Sequence, residues 1–231
     1  MKTALLILNP RHVERFEESL LHLKIPRIRL SGYTEGELAV HPGPWDDALA
    51  AARSEGITHL AATSDDLIIP PDTLRCLETL ASVQRDIVWT GWANMDEASS
   101  LVGLSDSPLS EESPSLTAYD FPTWRDVLSG PRLRRTFFTG FVGTLMTLDD
   151  WDKYPLHAYT ANGTTETDYN ATGAGHAWAS DYHMSRRLHA DGRIIMTHRG
   201  AFCLHLKSVT GALDPYPPSP RRGVFFEPAP K

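Results

Sequence analysis

The sequence has few cysteines and no long apolar run. Its 231 residues include two cysteines, Cys76 and Cys203, too few for a disulfide framework or a thiolate zinc site. No apolar run approaches the ~20 residues that a membrane-spanning helix needs. The first run, residues 3–8, stops at Asn9 and Pro10, which is too short for a secretion signal with a cleavage site. We therefore expect a cytoplasmic protein without a membrane partner.

An excess of positive charge is also missing. Lys and Arg number 22 against 29 Asp and Glu, so the formal net charge is −7. This balance argues against a general nucleic-acid binder, which normally has a basic surface, but it allows a local basic patch. No Lys or Arg occurs between Arg85 and Arg125, after which Arg125, Arg132, Arg134 and Arg135 form a compact cluster. These arginines either bind a polyanion or balance the acidic stretch that precedes them.

Several catalytic motifs are absent from the chain. It contains no P-loop, no Gly-x-Ser-x-Gly, no His-Glu-x-x-His and no Cys-x-x-Cys. The segment Gly173-Ala174-Gly175 lacks the third glycine and the preceding strand of a dinucleotide-binding fingerprint. The chemistry must therefore be sought in other groups of residues.

Apolar runs typical of buried strands alternate with segments whose apolar residues recur at helical spacing. Predicted strands occupy residues 3–8, 25–30, 57–63, 86–92, 136–147, 193–197 and 201–206. Predicted helices occupy residues 13–23, 45–54, 70–80 and 178–190. This alternation predicts an α/β fold, namely a three-layer α/β/α sandwich around a mostly parallel central sheet.

The remaining segments are expected to be loops around one domain. Residues 96–120 are rich in serine and acid, and residues 159–175 have the composition of a loop. The segment from 207 to 231 contains six prolines, so we expect an irregular tail, either wrapped on the domain or loose. The domain itself is expected to cover residues 1–206.

Two adjacent acids, Asp65 and Asp66, directly follow the predicted strand at 57–63. In open α/β sheets, ligands gather at the carboxyl ends of the strands. A carboxylate there can hold a divalent cation, which in turn neutralises a diphosphate. The alternative is a helix cap or a plain turn. A capping role for Asp65 and Asp66 is disfavoured because the next predicted helix begins only at Pro70 and Pro71. Asp72 is closer to the start of that helix and can interact with it instead.

A third acid, Asp181, falls on the apolar stripe of the predicted helix at 178–190, together with Met184 and Leu188. An acid on an inward helix face must be paired, desolvated or functional, so Asp181 is a candidate general base. The alternative is an acid favoured by the N-terminal helix dipole, with Ser180 as the cap.

His205, at the end of the last predicted strand, could ligate a metal, and Mn²⁺ suits an imidazole better than Mg²⁺ does. A structural histidine is the alternative, and His198 competes for the same role. Trp178 and His176 lie beside a glycine-rich loop, where aromatic side chains can stack on a sugar or a base. For Trp178, packing in the core is the competing interpretation.

Taken in chain order, five segments between residues 3 and 206 resemble the GT-A glycosyltransferases, within them the family 2-like, inverting branch. The five are Asn9-Pro10-Arg11, residues 51–57 (AARSEGI), residues 58–74 (THLAATSDDLIIPPDTL), residues 138–146 (FTGFVGTLM) and residues 180–188 (SDYHMSRRL). The third segment resembles the strand and DXD motif of that family, with Ser64 in the first position. The fifth resembles the helix that carries the catalytic base.

The resemblance implies a role for each candidate residue. Asp66 would ligate Mn²⁺ or Mg²⁺, Asp65 would contact the metal or the donor ribose, and His205 would complete the metal site. Asp181 would deprotonate the acceptor hydroxyl. The residues implied near the nucleotide are Asn9, Arg11, Arg53 and Asp65. Those implied on the acceptor side are Gly140, His176 and Trp178.

The function implied is a metal-dependent inverting glycosyltransferase that moves a sugar from a nucleoside-diphosphate donor, expected to be a UDP-sugar, to an acceptor hydroxyl. Residues 1–95 would form the nucleotide-binding half and residues 96–206 the acceptor-side half. A saccharide or small molecule is the expected acceptor, and a hydroxylated base in DNA is the alternative that the arginine cluster allows. Two other functions stay open: a nucleotidyltransferase of the sugar-nucleotide type, and a non-catalytic nucleotide- or sugar-binding module.

Overall fold

A computed structural model describes residues 1–9, 11–33, 37–38, 41, 43–95, 100–108, 121–155, 179–206 and 217–230. The described strands are β1 (Thr3–Asn9), β2 (Arg27–Ser31), β3 (His59–Ser64), β4 (Leu67–Ile68), β5 (Ile87–Trp92), β6 (Leu133–Thr136), β7 (Val142–Thr147), β8 (Ile194–Phe202), β9 (Leu204–His205) and β10 (Gly223–Glu227). The described helices are α1 (Glu14–Leu20), α2 (Gly43–Ser54), α3 (Pro71–Val83), α4 (Trp124–Ser129), α5 (Leu148–Lys153) and α6 (Ala179–Ala190). None of these helices is long and apolar enough to cross a membrane.

Eight strands form one mixed sheet in the order β10-β2-β1-β3-β7-β5-β8-β6, and β4 pairs with β9 in a separate small sheet. Strands β1, β2 and β3 are mutually parallel, and β8 is parallel to β5. Strand β7 runs antiparallel to both β3 and β5, and the edge strands β10 and β6 are antiparallel to their neighbours. The α/β class is therefore confirmed, and the sheet, which was predicted to be mostly parallel, is mixed.

Strands β6 and β7 run in the same direction, because each is antiparallel to one of the mutually parallel strands β8 and β5. Both β8 and β5 lie between them in the sheet, and the chain passes from β6 to β7 through residues 137–141. The single strand predicted at 136–147 is accordingly two strands, interrupted around Gly140.

The sheet is covered by apolar side chains on both faces, as β1 shows. Leu6 belongs to one buried cluster with Trp45 of α2 and Leu188 of α6. The next side chain towards the N-terminus, Leu5, belongs to a second cluster with Phe16 of α1. Because successive side chains of a strand point to opposite faces, the two clusters lie on opposite sides of the sheet. The continuous apolar run at the start of the chain predicted a strand of this kind.

The C-terminal segment differs from the expected irregular tail. Residues 223–227 form β10, which pairs along the whole of β2 with the register Gly223↔Ser31 to Glu227↔Arg27. Just before it, the His12 amide donates to the Pro217 carbonyl, and Arg11 forms an isolated bridge with Pro218. This part of the tail is therefore built into the sheet. The predicted loop at 159–175 lies outside the described residues.

One edge of the sheet collects the ends of its parallel strands. Strands β1, β2, β3, β5 and β8 all point the same way, so their carboxyl ends open on this edge, which we call the carboxyl edge. Strand β7, running in the opposite direction, begins there, and its Val142 pairs with Thr63 near the end of β3. Ligands of open α/β sheets bind at such an edge.

Candidate functional site

Polar residues from three strand ends meet at the carboxyl edge. Asn9 ends β1, Asp65 and Asp66 follow β3, and Asn94 follows β5. The small β4–β9 sheet brings His205 into the same group, because Leu67 pairs with His205 in this sheet. The amide of Leu206 also donates to the Asp66 carbonyl at 2.7 Å. Main-chain pairing therefore fixes the position of the histidine relative to the acids.

Asp65 is fully buried and bound by Arg11. Its Oδ2 accepts from the Arg11 main-chain N at 2.8 Å, and its Oδ1 accepts from Arg11 Nε at 3.1 Å and from Arg11 Nη2. Burial raises the pKa of Asp65, and the bonds from Arg11 offset part of that effect. Burial lowers the pKa of Arg11, but the bonds and charges of Asp65 and Asp66 outweigh it, so the net shift is upward. Both carboxylate oxygens are thus engaged, which makes Asp65 the anchor of Arg11.

Asp66 faces three partners. Its Oδ1 accepts from Ser64 Oγ, while its Oδ2 lies 3.5 Å from His205 Nε2 and 3.5 Å from Arg11 Nη2. Burial alone would raise the pKa of Asp66, but the histidine, the serine hydroxyl and the guanidinium together hold this pKa well below its usual value. Asp66 is therefore an ionised carboxylate inside the site.

The orientation of His205 shows what it can bind. Its Nδ1 lies 3.0 Å from the Asn94 carbonyl oxygen, which can only accept, so we assign the ring hydrogen to Nδ1. In the neutral ring, Nε2 then turns a lone pair towards Asp66 Oδ2. A proton on Nε2, or a metal ion bound by both atoms, would make this contact favourable. A histidine held through Nδ1 by a carbonyl is also the usual arrangement of a metal ligand.

A divalent cation fits part of the predicted ligand set. In the regions that the structure describes, no group of three or more His, Cys, Asp or Glu side chains is arranged to hold a metal. Asp66 and His205 offer one carboxylate and one imidazole, whereas both oxygens of Asp65 are occupied by Arg11. Few protein ligands suffice where diphosphate oxygens and water complete the coordination. Asp66 and His205 therefore suit Mn²⁺ or Mg²⁺, and Asp65 does not.

His198, the competing histidine, lies elsewhere. It lines a cleft between α3 and strands β6 and β8, and its Nε2 accepts from Arg132 Nε at 2.8 Å. Burial and two nearby arginines, Arg132 and Arg199, lower the pKa of His198. The structure places His205, and not His198, beside Asp66.

Asp181 lies in the first turn of α6 and is buried against Gly140. A Cβ added to Gly140 would approach Asp181 Oδ2 to 3.3 Å, so the glycine leaves room for the carboxylate. Ser185 fixes this contact, since its Oγ accepts from the Thr139 amide at 3.0 Å and donates to the Asp181 carbonyl at 2.8 Å. Gly140 precedes Val142 by two residues, which puts Asp181 at the carboxyl edge with Asp66.

A group of buried hydroxyls supports the Gly140 segment. Thr139 Oγ1 donates to Thr90 Oγ1 at 2.8 Å and lies 2.5 Å from Thr144 Oγ1. The Thr144 hydroxyl in turn lies 2.6 Å from the Gly140 carbonyl oxygen. All three threonines are fully buried. This network, which sequence reasoning missed, holds the peptide beside Asp181 in a defined orientation.

The residues predicted near a nucleotide divide into two groups. Asn9 Nδ2 donates to the Arg11 carbonyl at 2.5 Å, and its Oδ1 accepts from Arg29 Nη1 at 3.1 Å, so Asn9 shapes the Arg11 segment. Arg53 lies in the last turn of α2 and forms an exposed ion pair with Asp152. Because α2 leads into the start of β3, Arg53 lies at the edge opposite to Asp66 and is not brought to the site. Trp178 and His176 lie outside the described residues.

Two further parts of the site had no clear signal in the sequence. Asn94 orients His205 through its carbonyl, and its own Oδ1 is buried without a hydrogen-bond partner among the described residues. Residues 217–222 pass the ends of β1 and β2, where Ser31 Oγ lies 2.6 Å from Ser219 Oγ and donates to the Arg221 carbonyl at 2.9 Å. A strand-end amide could have pointed to Asn94, but the proline-rich tail carries no periodicity that places it.

Comparison with known proteins adds no family to this geometry. The sequence matches no protein-family model and no curated protein. The resemblance to GT-A glycosyltransferases therefore rests on the chain's own motifs and on the arrangement of their residues, and it stays a prediction.

Proposed function

We propose that the chain is a glycosyltransferase of the GT-A type, which moves a sugar from a nucleoside-diphosphate donor to an acceptor hydroxyl with inversion. One observation carries the proposal: the ionised Asp66 with His205, the anchored Arg11 and the buried Asp181 all lie at the carboxyl edge. A cation-holding group and a separate carboxylate are what transfer from a diphosphate donor requires.

At the donor end, the residues bind negative charge. Arg11 is held by Asp65, and its Nη1 donates no hydrogen bond within the described residues, so two N–H groups remain for phosphate oxygens. Its side chain keeps 20% of its surface exposed, enough to contact a ligand. Asp66 and His205 would hold Mn²⁺ or Mg²⁺, a cation that neutralises the charge developing on the departing diphosphate. The expected nucleotide is UDP.

At the acceptor end, Asp181 acts as the general base. Its carboxylate takes the proton of the acceptor hydroxyl while that oxygen forms a bond to the anomeric carbon. The bond from the anomeric carbon to the diphosphate oxygen breaks on the opposite side, so the configuration inverts. The hydroxyl network under Gly140 keeps the carboxylate in one position. A binding module on the same scaffold would need no such base, and a nucleotidyltransferase would attack phosphorus instead.

The proposed function includes a proposed fold, a three-layer α/β/α sandwich of the GT-A type. Five of the eight strands are parallel and present their carboxyl ends together, and apolar clusters cover both faces of the sheet. These features support a three-layer sandwich of the GT-A type, in which β7, β6 and β10 are the antiparallel additions. Residues 1–95 would then form the nucleotide-binding half.

Thermal-shift measurements test the proposal. The panel is UDP, GDP, TDP and CDP, each with and without Mn²⁺, on the wild type, Asp66→Asn and the control Asp72→Asn, whose carboxylate is 91% exposed. A ligand that binds only the folded state raises the melting temperature by mass action. We expect a Mn²⁺-dependent rise with one nucleotide that persists in Asp72→Asn and is lost in Asp66→Asn. A folded wild type that responds to no nucleotide would refute donor binding.

A further inference from the structure

Four exposed arginines at the β6 end of the sheet have no carboxylate partner in the described parts of the chain. They are Arg125, Arg132, Arg135 and Arg199, which we call the arginine surface. Other arginines pair with acids: Arg11 with Asp65, Arg29 with Glu17, Arg53 with Asp152, Arg193 with Asp150 and Arg222 with Glu37. Arg15 and Arg85 are also exposed without such a partner in the described chain, but they lie apart from this group. The grouping of four unpaired arginines is what sets this surface apart in a chain with a net charge of −7.

The segments that carry Arg125, Arg132 and Arg199 are joined around Trp92. The Trp92 indole donates to the Arg199 carbonyl at 3.1 Å, and the Arg199 amide donates to the Arg132 carbonyl at 2.9 Å. Trp92 also packs in one buried cluster with Val127 of α4, the helix that carries Arg125. Strand β6 leads from Arg132 to Arg135. The four cations therefore lie around one structural unit.

Two exposed rings, Trp124 and Phe202, lie on the same segments as Arg125 and Arg199. Trp124 keeps 36% and Phe202 keeps 37% of the residue surface exposed. The Arg125 guanidinium lies 5.1 Å from the centre of the Trp124 ring, and Phe202 packs edge-on against Trp92 with ring centres 4.9 Å apart. Both rings are held by neighbours and still offer surface to a ligand. Such rings are platforms on which planar groups stack.

A cleft adjoins the arginine surface at Arg132. It has a volume of about 570 Å³ and lies between α3 and strands β6 and β8. Arg132 lines it with Thr79, His198 and the apolar Leu133, and Arg75 lines it as an ion pair with Asp72. Its lining therefore combines one uncompensated arginine, Arg132, with apolar contact area.

Protection of a sheet edge explains only part of this arrangement. Charged side chains on an edge strand prevent pairing with another chain, and this accounts for Arg135 on β6 and for Arg132 next to it. It does not account for Arg125 on a helix or Arg199 on the interior strand β8. It also leaves the exposed Trp124 and Phe202 rings unexplained. Cations interleaved with stacking rings point to a ligand that carries both phosphates and bases.

We infer that the arginine surface binds single-stranded nucleic acid, with guanidinium groups on the phosphates and Trp124 and Phe202 stacking on unpaired bases. A duplex hides the base faces, so the exposed rings favour a single strand. All of these residues belong to the acceptor-side half, residues 96–206, which also contains Asp181. A strand bound there would carry the acceptor hydroxyl, and this last step rests on the proposed function.

Fluorescence anisotropy with a labelled single strand of about 12 nucleotides tests the inference. The surface variant is Arg125→Glu/Arg199→Glu, and the matched control is Arg15→Glu/Arg85→Glu, which makes the same charge change at two exposed arginines elsewhere. We expect at least tenfold weaker binding in the surface variant and a change below about threefold in the control. The slope of log K against log salt should also fall by about 1.4, because each lost phosphate contact removes about 0.7. Binding that is undetectable at low salt, or equally weakened in both variants, would overturn the inference.

A second variant separates a strand from a general polyanion. Trp124→Ala removes a stacking ring and leaves every arginine in place. We expect it to weaken binding of the oligonucleotide severalfold while binding of inorganic polyphosphate is unchanged. Equal binding of both probes by the wild type, with no effect of Trp124→Ala, would overturn recognition of a strand. The binding measurements with oligonucleotide and polyphosphate need no sugar donor. A negative result in them would therefore refute nucleic-acid binding without refuting the proposed glycosyltransferase activity.

Discussion

The two ends of the sheet use arginine in different ways. At the β1–β3 end, Arg11 and Arg29 are fixed by buried or half-buried carboxylates, and the C-terminal segment closes over them. At the β8–β6 end, Arg132 and Arg199 are exposed and have no acid partner in the described chain. An arginine that is paired with an acid is held in one geometry, which suits a small ligand of fixed shape. An exposed, unpaired arginine attracts any polyanion, and the affinity it provides falls as the salt concentration rises.

Mutating an arginine should also cost different amounts of stability at the two ends of the sheet. Removing one partner of a buried ion pair leaves a charge that neither water nor a counter-ion compensates. Removing an exposed arginine costs the fold little, because water replaces its contacts. Mutations at the β1–β3 end should therefore act on stability and donor binding together. Mutations on the arginine surface should act on binding alone.

The largest effect is expected from Asp181→Asn. The amide keeps the shape of the carboxylate but cannot accept the acceptor proton, so turnover should fall by about 10²- to 10⁴-fold. Release of nucleoside diphosphate from the donor measures this, and the nucleotide-induced thermal shift should be unchanged. A variant that turns over at the wild-type rate would remove Asp181 from the chemistry.

Arg11→Met should strongly destabilise the fold because it leaves Asp65 fully buried without its partner. We expect a loss of about 3–5 kcal/mol in the free energy of unfolding, measured by urea titration. Arg53→Met is the matched control, since its ion pair with Asp152 is exposed and worth about 0–1 kcal/mol. Similar losses in the two variants would contradict the contrast between compensated and exposed arginines.

Gly140→Ala should have an intermediate effect. The added methyl group would lie 3.3 Å from Asp181 Oδ2, so the carboxylate must shift by a few tenths of an ångström. We expect a loss of about 1–2 kcal/mol in stability and a turnover reduced by about tenfold. Gly103→Ala, where no atom lies within 4 Å of the added methyl, should change neither quantity. Unchanged turnover in Gly140→Ala would show that the contact does not position the base.

The smallest effect concerns the pH dependence of stability. The pKa of Asp66 is lower in the folded than in the unfolded state. The ionised Asp66 therefore stabilises the fold at pH values above its unfolded pKa of about 3.9. This stabilisation is lost as the pH falls from there towards the folded pKa. Asp66→Asn should therefore reduce the acid sensitivity of the free energy of unfolding below about pH 4. Urea titrations between pH 3 and 6, with Asp72→Asn as the control, would detect this, and identical pH profiles in wild type and Asp66→Asn would contradict it.

The sequence predicted the elements that carry the site better than the contacts within it. The apolar run before Asp65 located β3, and the helical stripe located α6 with Asp181. Both are local patterns, and the segments were found within a few residues of their observed bounds. His205 lies 3.5 Å from Asp66, because antiparallel pairing of β9 with β4 brings the histidine to the end of β3, and their role as metal ligands stays a prediction.

Long-range contacts explain what the sequence did not predict. Arg11 and Asp65 are 54 positions apart, and nothing in either segment signals that the arginine would occupy both oxygens of the acid. Arg53 was expected near the nucleotide, but the direction of β3 puts it at the opposite edge. The strand β10 lies in a proline-rich tail without alternation, and its pairing with β2 is decided by the free edge of β2.

The most direct test of the account is the EPR signal of free Mn²⁺ in the presence of the protein and the nucleoside diphosphate selected by the thermal-shift panel. Relative to nucleotide alone, the wild type and Asp72→Asn should reduce the signal, whereas Asp66→Asn and His205→Ala should not. This result would place the cation and the diphosphate at the Asp66–His205 pair. A wild-type protein that leaves the signal unchanged, or an equal reduction in all four proteins, would contradict the proposed donor site.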